Sequence, residues 1–369
     1  MNFDFSDDQT SLREAVSRWV DKGFAFERRH ALTKAGGFSR EVYAELAELG
    51  LAGLVIDPAH DGMGFGPVEA MVVMEELGKG LVHAPYAAAA LVAPSILATG
   101  PAELQAAWLP RMATGEALVV LAHQERAARY RTEQVATRAA ETPEGWRLDG
   151  HKSVVPAADE ADAFIVPAHS AHGIRLFLVE RAAAQVRAYT TQDGARAGEV
   201  ALSQAPAQLI TADGLLVLER AIDIGIAASC AEGVGLMERL TAMTADYLNT
   251  RKQFGVALSS FQALRHRLAD VKMQLELARS MSYFASMKLG EAAAVRRRAL
   301  SQAKVQLGQS MRFVGQQCVQ LHGGIGVTDE YAGSHYFKRL TMLEMAYGDT
   351  QHHLGEVSSR MLDTAGVFA

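Results

Sequence analysis

The chain has 369 residues, enough for two or three domains or one unusually large one. Hydrophobic residues make up 49% and charged residues 21%, which permits a sizeable core and excludes a disordered chain. A formal net charge of −6 argues against a nucleic-acid binder, whose footprint is a basic surface.

The N-terminal stretch MNFDFSDDQTSLREAV is acidic and amphipathic, unlike the basic and apolar regions of a signal peptide. Ser6 and Gln9 have the spacing of a capping box, and Leu12, Val16 and Trp19 follow on one helical face. SREVYAELAELG, VEAMVVMEELGKG, AAALVAPSILATG and AELQAAWLPRMATG continue the helical period, each stopped by glycine. The glycine-rich run from Asp57 to Pro67 lacks the flanks of a phosphate loop and reads as a connection. Near Ala117 the texture changes to short alternating runs: ALVVLAH, GWRLDGHKSVV, AFIVPA, IRLFLVE and VRAYTT. With no helices between them, these predict a small antiparallel β domain rather than a parallel sheet. From Leu215 onward four long helical segments joined by short loops predict an antiparallel bundle.

The expected architecture is therefore mainly α with a small β domain: helical residues 1–117, β residues 118–212 and a four-helix bundle over 213–369. No run of 18 apolar residues suggests a membrane span. Cys230 and Cys318, each in an apolar helical stretch, read as core residues of a reducing compartment, and the expectation is a cytoplasmic protein. The basic run Arg296–Arg298 reads as a solvated helix face.

Chemistry concentrates in three loops. TRKQFG (Thr250 to Gly255) ends the first bundle helix, and QLHGGIGVT (Gln320 to Thr328) ends the third. Arg251 and the amides of Gly323 and Gly324 make a good diphosphate seat, although a basic helix end and a simple turn are the plainer readings. The third loop, LEMAYGDTQHHLGE (Leu343 to Glu356), admits a metal site, a catalytic carboxylate or an ordinary helix break. His352 and His353 point about 100° apart on a helix, so they cannot share one ion; no metal is expected. Asp349 fits an N-cap of the following helix.

Taken together, FSDDQTSLREAV, HDGMGFGPVEA with EELG, GWRLDGHKSVV, RKQFG…FQALRHRLAD and QLHGGIGVT occur in the order of the acyl-CoA dehydrogenase flavoproteins, which the chain resembles along essentially its whole length. The resemblance implies dimers or dimers of dimers and FAD lying between subunits. It also implies an acyl-CoA substrate and an electron-transferring flavoprotein as oxidant. By the same resemblance, Arg251, Phe254, Gln320, Gly323 and Gly324 match residues that reach the FAD of the neighbouring subunit, and Thr350 belongs to the cofactor-binding set. Contacts to the subunit's own flavin are poorer. Val154 and Pro156 stand where the family has an aromatic and a hydroxyl residue, and the upstream loop reads AHQERAARY (Ala122 to Tyr130).

The family's base is missing too. Its glutamate is expected at Gly348 or, in a second branch, at Gly225, and neither is a carboxylate. Losing a positioned base costs on the order of 10²–10⁴ in rate. Asp349, one residue on, is the candidate substitute, and Glu219 beside Arg220 is a more remote one. Three arrangements follow: a self-sufficient enzyme using Asp349, a base-deficient subunit lending its trans contacts to a second dehydrogenase subunit, or a flavin-free scaffold. The coordinated loss of base and own-flavin contacts favours the second. Small subunits of that kind occur in the family for dicarboxylyl, aromatic and steroid-type thioesters.

Overall fold

The computed structural model describes residues 4–361. Helices α1 (Asp7–Gly23), α2 (Phe26–Lys34), α3 (Arg40–Glu48), α4 (Pro67–Lys79), α5 (Ala93–Leu97) and α6 (Ala102–Ala113) fill the first third. The capping box forms as the sequence implies. The Gln9 N–H donates to the Ser6 hydroxyl at 3.2 Å, and the Ser6 N–H donates to the Gln9 side chain at 3.0 Å. Helix α2 was not foreseen, because FERRHALTK has no apolar stripe; it buries Arg29 instead.

Strands β1 (Val119–Leu121), β2 (Arg138–Thr142), β3 (Gly145–Pro156), β4 (Ala163–Ser170), β5 (Gly173–Glu180), β6 (Gln185–Thr190) and β7 (Arg196–Thr211) follow. Then come α7 (Gly214–Thr250), a short hairpin of β8 (Lys252–Gln253) and β9 (Val256–Ala257), and α8 (Gln262–Lys288). Helices α9 (Ala293–His322), α10 (Ala332–Met345) and α11 (Thr350–Ser359) close the chain. The last member of the bundle is thus split in two, at the Gly348–Asp349 step.

Two compact units result. One joins the segment up to Arg29, Pro67–Val82 and the chain from Ile226 onward; the other comprises His30–Gly66 and His83–Gly225. In the first, α9 packs against α8, α10 and α11. Ala299, Ala303, Leu307, Met311, Val314, Cys318 and Leu321 bury one stripe at helical spacing. The basic run departs from expectation. Arg296 is buried and donates to the Glu291 carbonyl at 3.2 Å, so its stem packs while its head is satisfied locally. Both cysteines are buried and free, and burial raises both thiol pKa values.

In the second unit the strands run β1-β4-β2-β3-β7-β5, and β4 also pairs with β5, so the sheet closes on itself; β6 adds to β7. Most pairings are antiparallel, but β4 runs parallel to β1 and, at Arg138↔His169, to β2. The crossover that parallel strands require is supplied by the β2–β3 hairpin rather than by a helix. The interior is Leu148, Phe164, Val166, Phe177, Val179, Val200 and Leu202. One ion pair lies among them. Lys152 Nζ, fully buried, donates to Glu125 Oε1 at 2.6 Å and to the Pro167 carbonyl at 2.8 Å.

Candidate functional site

Gly348, where the sequence resemblance expects a glutamate, lies in the α10–α11 junction. Tyr347 has φ 57° and Gly348 φ 114°, so the chain turns sharply before α11 begins. Asp349 occupies the N-cap, its Oδ1 accepting the His352 N–H at 2.8 Å. Thr350 is buried, and both its N–H (3.0 Å) and its hydroxyl (2.7 Å) donate to Glu344 Oε1. His353 is buried as well. Its Nε2 lies 3.1 Å from the Tyr347 carbonyl, so that nitrogen carries the proton and Nδ1 accepts from the Ser301 hydroxyl at 3.2 Å. Burial, helped by Lys304 nearby, drops its pKa to about 3.

These histidines fill the space in front of residue 348. A Cβ placed on Gly348 would stand 2.5 Å from His353 Nε2 and 2.7 Å from His352 Cδ2, at a backbone angle that side chains rarely adopt. Lys304, behind them, is fully buried, donates to the Leu343 carbonyl, and is pushed down to about 8 by burial. Gly225 lies buried within α7, and Glu219 is half-buried two turns earlier on the same helix.

A second group sits at the far end of α9, where the ends of α7 and α9 meet. The Arg251 N–H donates to the Tyr247 carbonyl at 2.8 Å, and its own carbonyl accepts the Leu258 N–H at 2.9 Å, which anchors the β8–β9 hairpin. The tip carries Phe254 (φ 52°) and Gly255 (φ 82°), the two positive angles of a primed hairpin turn. A bulky residue pays for that conformation, yet Phe254 is 92% exposed. Gln320, Gly323 and Gly324 are exposed too. Gly323 needs glycine for its angle of 65°, but Gly324 does not, and a Cβ there would meet nothing within 4 Å. The chain's own fold gives no reason for that glycine.

Residues 304 and 320 are sixteen positions apart on α9, about 24 Å along the axis. The residues expected to reach across a subunit interface (Arg251, Phe254, Gln320, Gly323, Gly324) flank the Tyr247–His322 contact at this end, while Gly348, Asp349 and Thr350 lie at the other. Sequence reasoning missed two things here: the imidazoles in front of Gly348, and His322, which stacks between Tyr247 (4.7 Å) and Tyr331 (4.9 Å).

The β unit carries a third group around Val154. This residue sits at a bulge between Lys152 and Val155 with φ 54°, a strained angle for a β-branched side chain. Glu199 accepts from Tyr189 at 3.1 Å and Ser153 at 3.0 Å, and pairs with Arg126 at 3.4 Å. Burial opposes its charge, but the Ser153 and Tyr189 hydrogen bonds and the nearby Arg126 and Arg187 hold its pKa below the ordinary value. A cleft of about 740 Å³ opens here, lined by Arg126, His151, Ser153, Arg187 and Glu199 among others.

Solved structures share this fold. A Tcur3481–Tcur3483 steroid ACAD variant superposes with a TM-score of 0.90 at 26% identity, over 98% of this chain and 99% of that one. The ChsE4–ChsE5 complex from Mycobacterium tuberculosis gives 0.89 at 26% identity, with the same coverage. The family model for the acyl-CoA dehydrogenase N-terminal domain matches residues 6–116, and that for the C-terminal domain matches residues 212–362. The chain belongs to the acyl-CoA dehydrogenase family. Among curated relatives, acyl-CoA dehydrogenase FadE27 of Mycobacterium tuberculosis is 27% identical over 378 residues, spanning 99% of this chain and 100% of that protein. No described helix is long and apolar enough to cross a membrane.

Proposed function

We propose that this chain is the base-deficient subunit of a heteromeric, FAD-dependent acyl-CoA dehydrogenase. The observation that carries this reading is the closed space at Gly348, where a side chain would collide with His352 and His353. A carboxylate cannot be rooted there, and the neighbouring Asp349 spends its oxygen on capping α11. The other end of α9 supports the complementary half. Phe254 and Gly324 are both explained by a group arriving from outside the chain.

The donor set there fits FAD. Arg251 would hold a diphosphate oxygen, the Gly323–Gly324 amides would approach the phosphates closely, Gln320 would bond a polar edge, and Phe254 would cover an apolar face. Around Val154 the fit to a flavin of the chain's own is poorer. Val154 and Pro156 bring no side-chain donor. When bound, FAD supplies the hydride acceptor for α,β-dehydrogenation of the thioester. The proton acceptor then comes from a partner dehydrogenase subunit, and an electron-transferring flavoprotein reoxidises the assembly. The relatives named as a ChsE4–ChsE5 complex and a Tcur3481–Tcur3483 pair fit such a two-chain assembly.

The test is an absorbance titration. The chain purified alone should not bleach bound flavin when acyl-CoA is added, whereas the same chain with a dehydrogenase subunit encoded beside it should. One FAD per chain with full turnover in isolation would refute the proposal. If that turnover then vanished in Asp349→Ala, the self-sufficient reading would stand in its place.

A further inference from the structure

Arg251 follows the end of α7 and Gln320 lies near the end of α9, so a rigid seat for an external group needs something to fix one helix end against the other. The structure holds one residue that does this. His322 is the last residue of α9, buried, two positions after Gln320 and immediately before Gly323. Its Nδ1 lies 2.8 Å from the Cys318 carbonyl, one turn back, so Nδ1 carries the proton and Nε2 is the acceptor. The Tyr331 hydroxyl donates to that Nε2 at 2.7 Å. The ring also stacks on Tyr247, and the Tyr247 carbonyl holds the Arg251 N–H. Burial keeps the imidazole neutral by lowering its pKa, consistent with the fixed tautomer.

We infer that His322 is a positioning residue. Clamped between Tyr247 and Tyr331, it sets the distance from the Arg251 hairpin to the Gln320–Gly324 turn, and so the geometry in which both meet one diphosphate-bearing ligand. The inference rests on the proposed trans seat for FAD. It extends that reading because His322 itself touches no ligand and acts only through the two loops.

The chain in its FAD-loaded assembly carries the test, with FAD affinity read from the fluorescence of flavin released on dilution. His322→Phe keeps an aromatic ring but loses both hydrogen bonds; it should raise the FAD dissociation constant about five- to tenfold. Tyr331→Phe, which removes one oxygen from a half-buried ring, should move it in the same direction by less. Arg251→Ala is the comparator. If the clamp works by placing Arg251, adding His322→Phe to Arg251→Ala should change the constant no further than Arg251→Ala alone. A merely structural role would instead give multiplying effects, and that outcome overturns the clamp. So does an unchanged constant in both His322→Phe and Tyr331→Phe while Arg251→Ala weakens binding. An unchanged constant in Arg251→Ala would overturn the seat itself, and the clamp with it.

Discussion

Substituting Gly348→Glu supplies the carboxylate whose absence the proposed function rests on, and should nevertheless produce no base. The backbone at 348 has φ 114°, and a residue with a side chain there costs about 1–3 kcal/mol. The new Cβ would also lie 2.5 Å from His353 Nε2, so the imidazole must leave. Leaving breaks its bonds to the Tyr347 carbonyl and Ser301, about 0.5–1.5 kcal/mol each. The sum, about 2–6 kcal/mol, is a large part of a typical total stability of about 5–15 kcal/mol. Over 369 residues the melting temperature should fall by roughly 3–8 °C. Gly348→Ala meets the same angle and the same first collision, so it should lose a similar amount without adding charge. Gly348→Glu combined with His353→Ala removes the collision and should recover part of the loss. Calorimetry of the four proteins measures this, and an acyl-CoA bleaching assay on each reads function. The reasoning fails if Gly348→Glu melts within a degree of the parent, or if it alone confers turnover.

His353 also predicts a pH dependence. Its folded pKa, about 3, lies below the ordinary value of 6.5, so the unfolded chain binds the extra proton first as pH falls. The stability it contributes is fully present above pH 6.5 and is lost as pH drops toward 3; His353→Gln should flatten that part of the melting curve between pH 6.5 and 4. Phe254→Ala should leave the melting temperature of the isolated chain essentially unchanged, because the ring is 92% exposed. In the FAD-loaded assembly it should weaken FAD binding by about tenfold or more, as for an interface anchor; equal affinity would remove Phe254 from the seat. Lys152→Met should cost about 3–5 kcal/mol in urea unfolding, because it leaves the buried Glu125 carboxylate without its cation. An unchanged urea midpoint would show that the Thr137 and Ala136 hydrogen bonds to Glu125 suffice alone.

Much of the fold was legible because local signals agreed with the tertiary outcome. Ser6 and Gln9 announced α1, Ser39 and Asp349 sit at the caps of α3 and α11, and the runs around Phe164 and Phe177 became β4 and β5. What escaped notice lacked local preference. Strand β2 is RAAET, and β7 is rich in alanine and contains Pro206; their conformation is imposed by pairing with β3, β5 and β6. The turn over Ala87–Val92 is a π-helix, whose register no apolar period encodes. In the candidate site the exposed residues were readable from motif order, but their supports were not. His322 looked like any histidine beside a glycine turn, since its role depends on Tyr247 and Tyr331, 75 and 9 positions away. The pair His352–His353 was weighed only as metal ligands; their function as filling appears only once the angle at Gly348 is known.

The two glycine sites differ in what accounts for them, and that difference bears on the choice between enzyme and subunit. At Gly348 everything needed is inside the chain: the turn demands glycine, and two imidazoles, one tied to Ser301 and Tyr347, occupy the space in front of it. At such a site a single substitution at residue 348 does not open room for a side chain, because both imidazoles must also move. At Gly324 no described residue accounts for the glycine, and at Phe254 the chain offers only the hairpin turn and an edge-on contact with Phe261 at 6.3 Å. One leaves open space without any backbone need, and the other holds a bulky ring in a costly conformation facing solvent. Strain persists where something compensates for it, and under the proposed function that is a molecule docked on the hairpin. A self-sufficient enzyme would need the reverse distribution, with the 348 position open to substrate and a carboxylate free beside it. A lent seat needs the distribution observed, sealed at one end of α9 and exposed at the other.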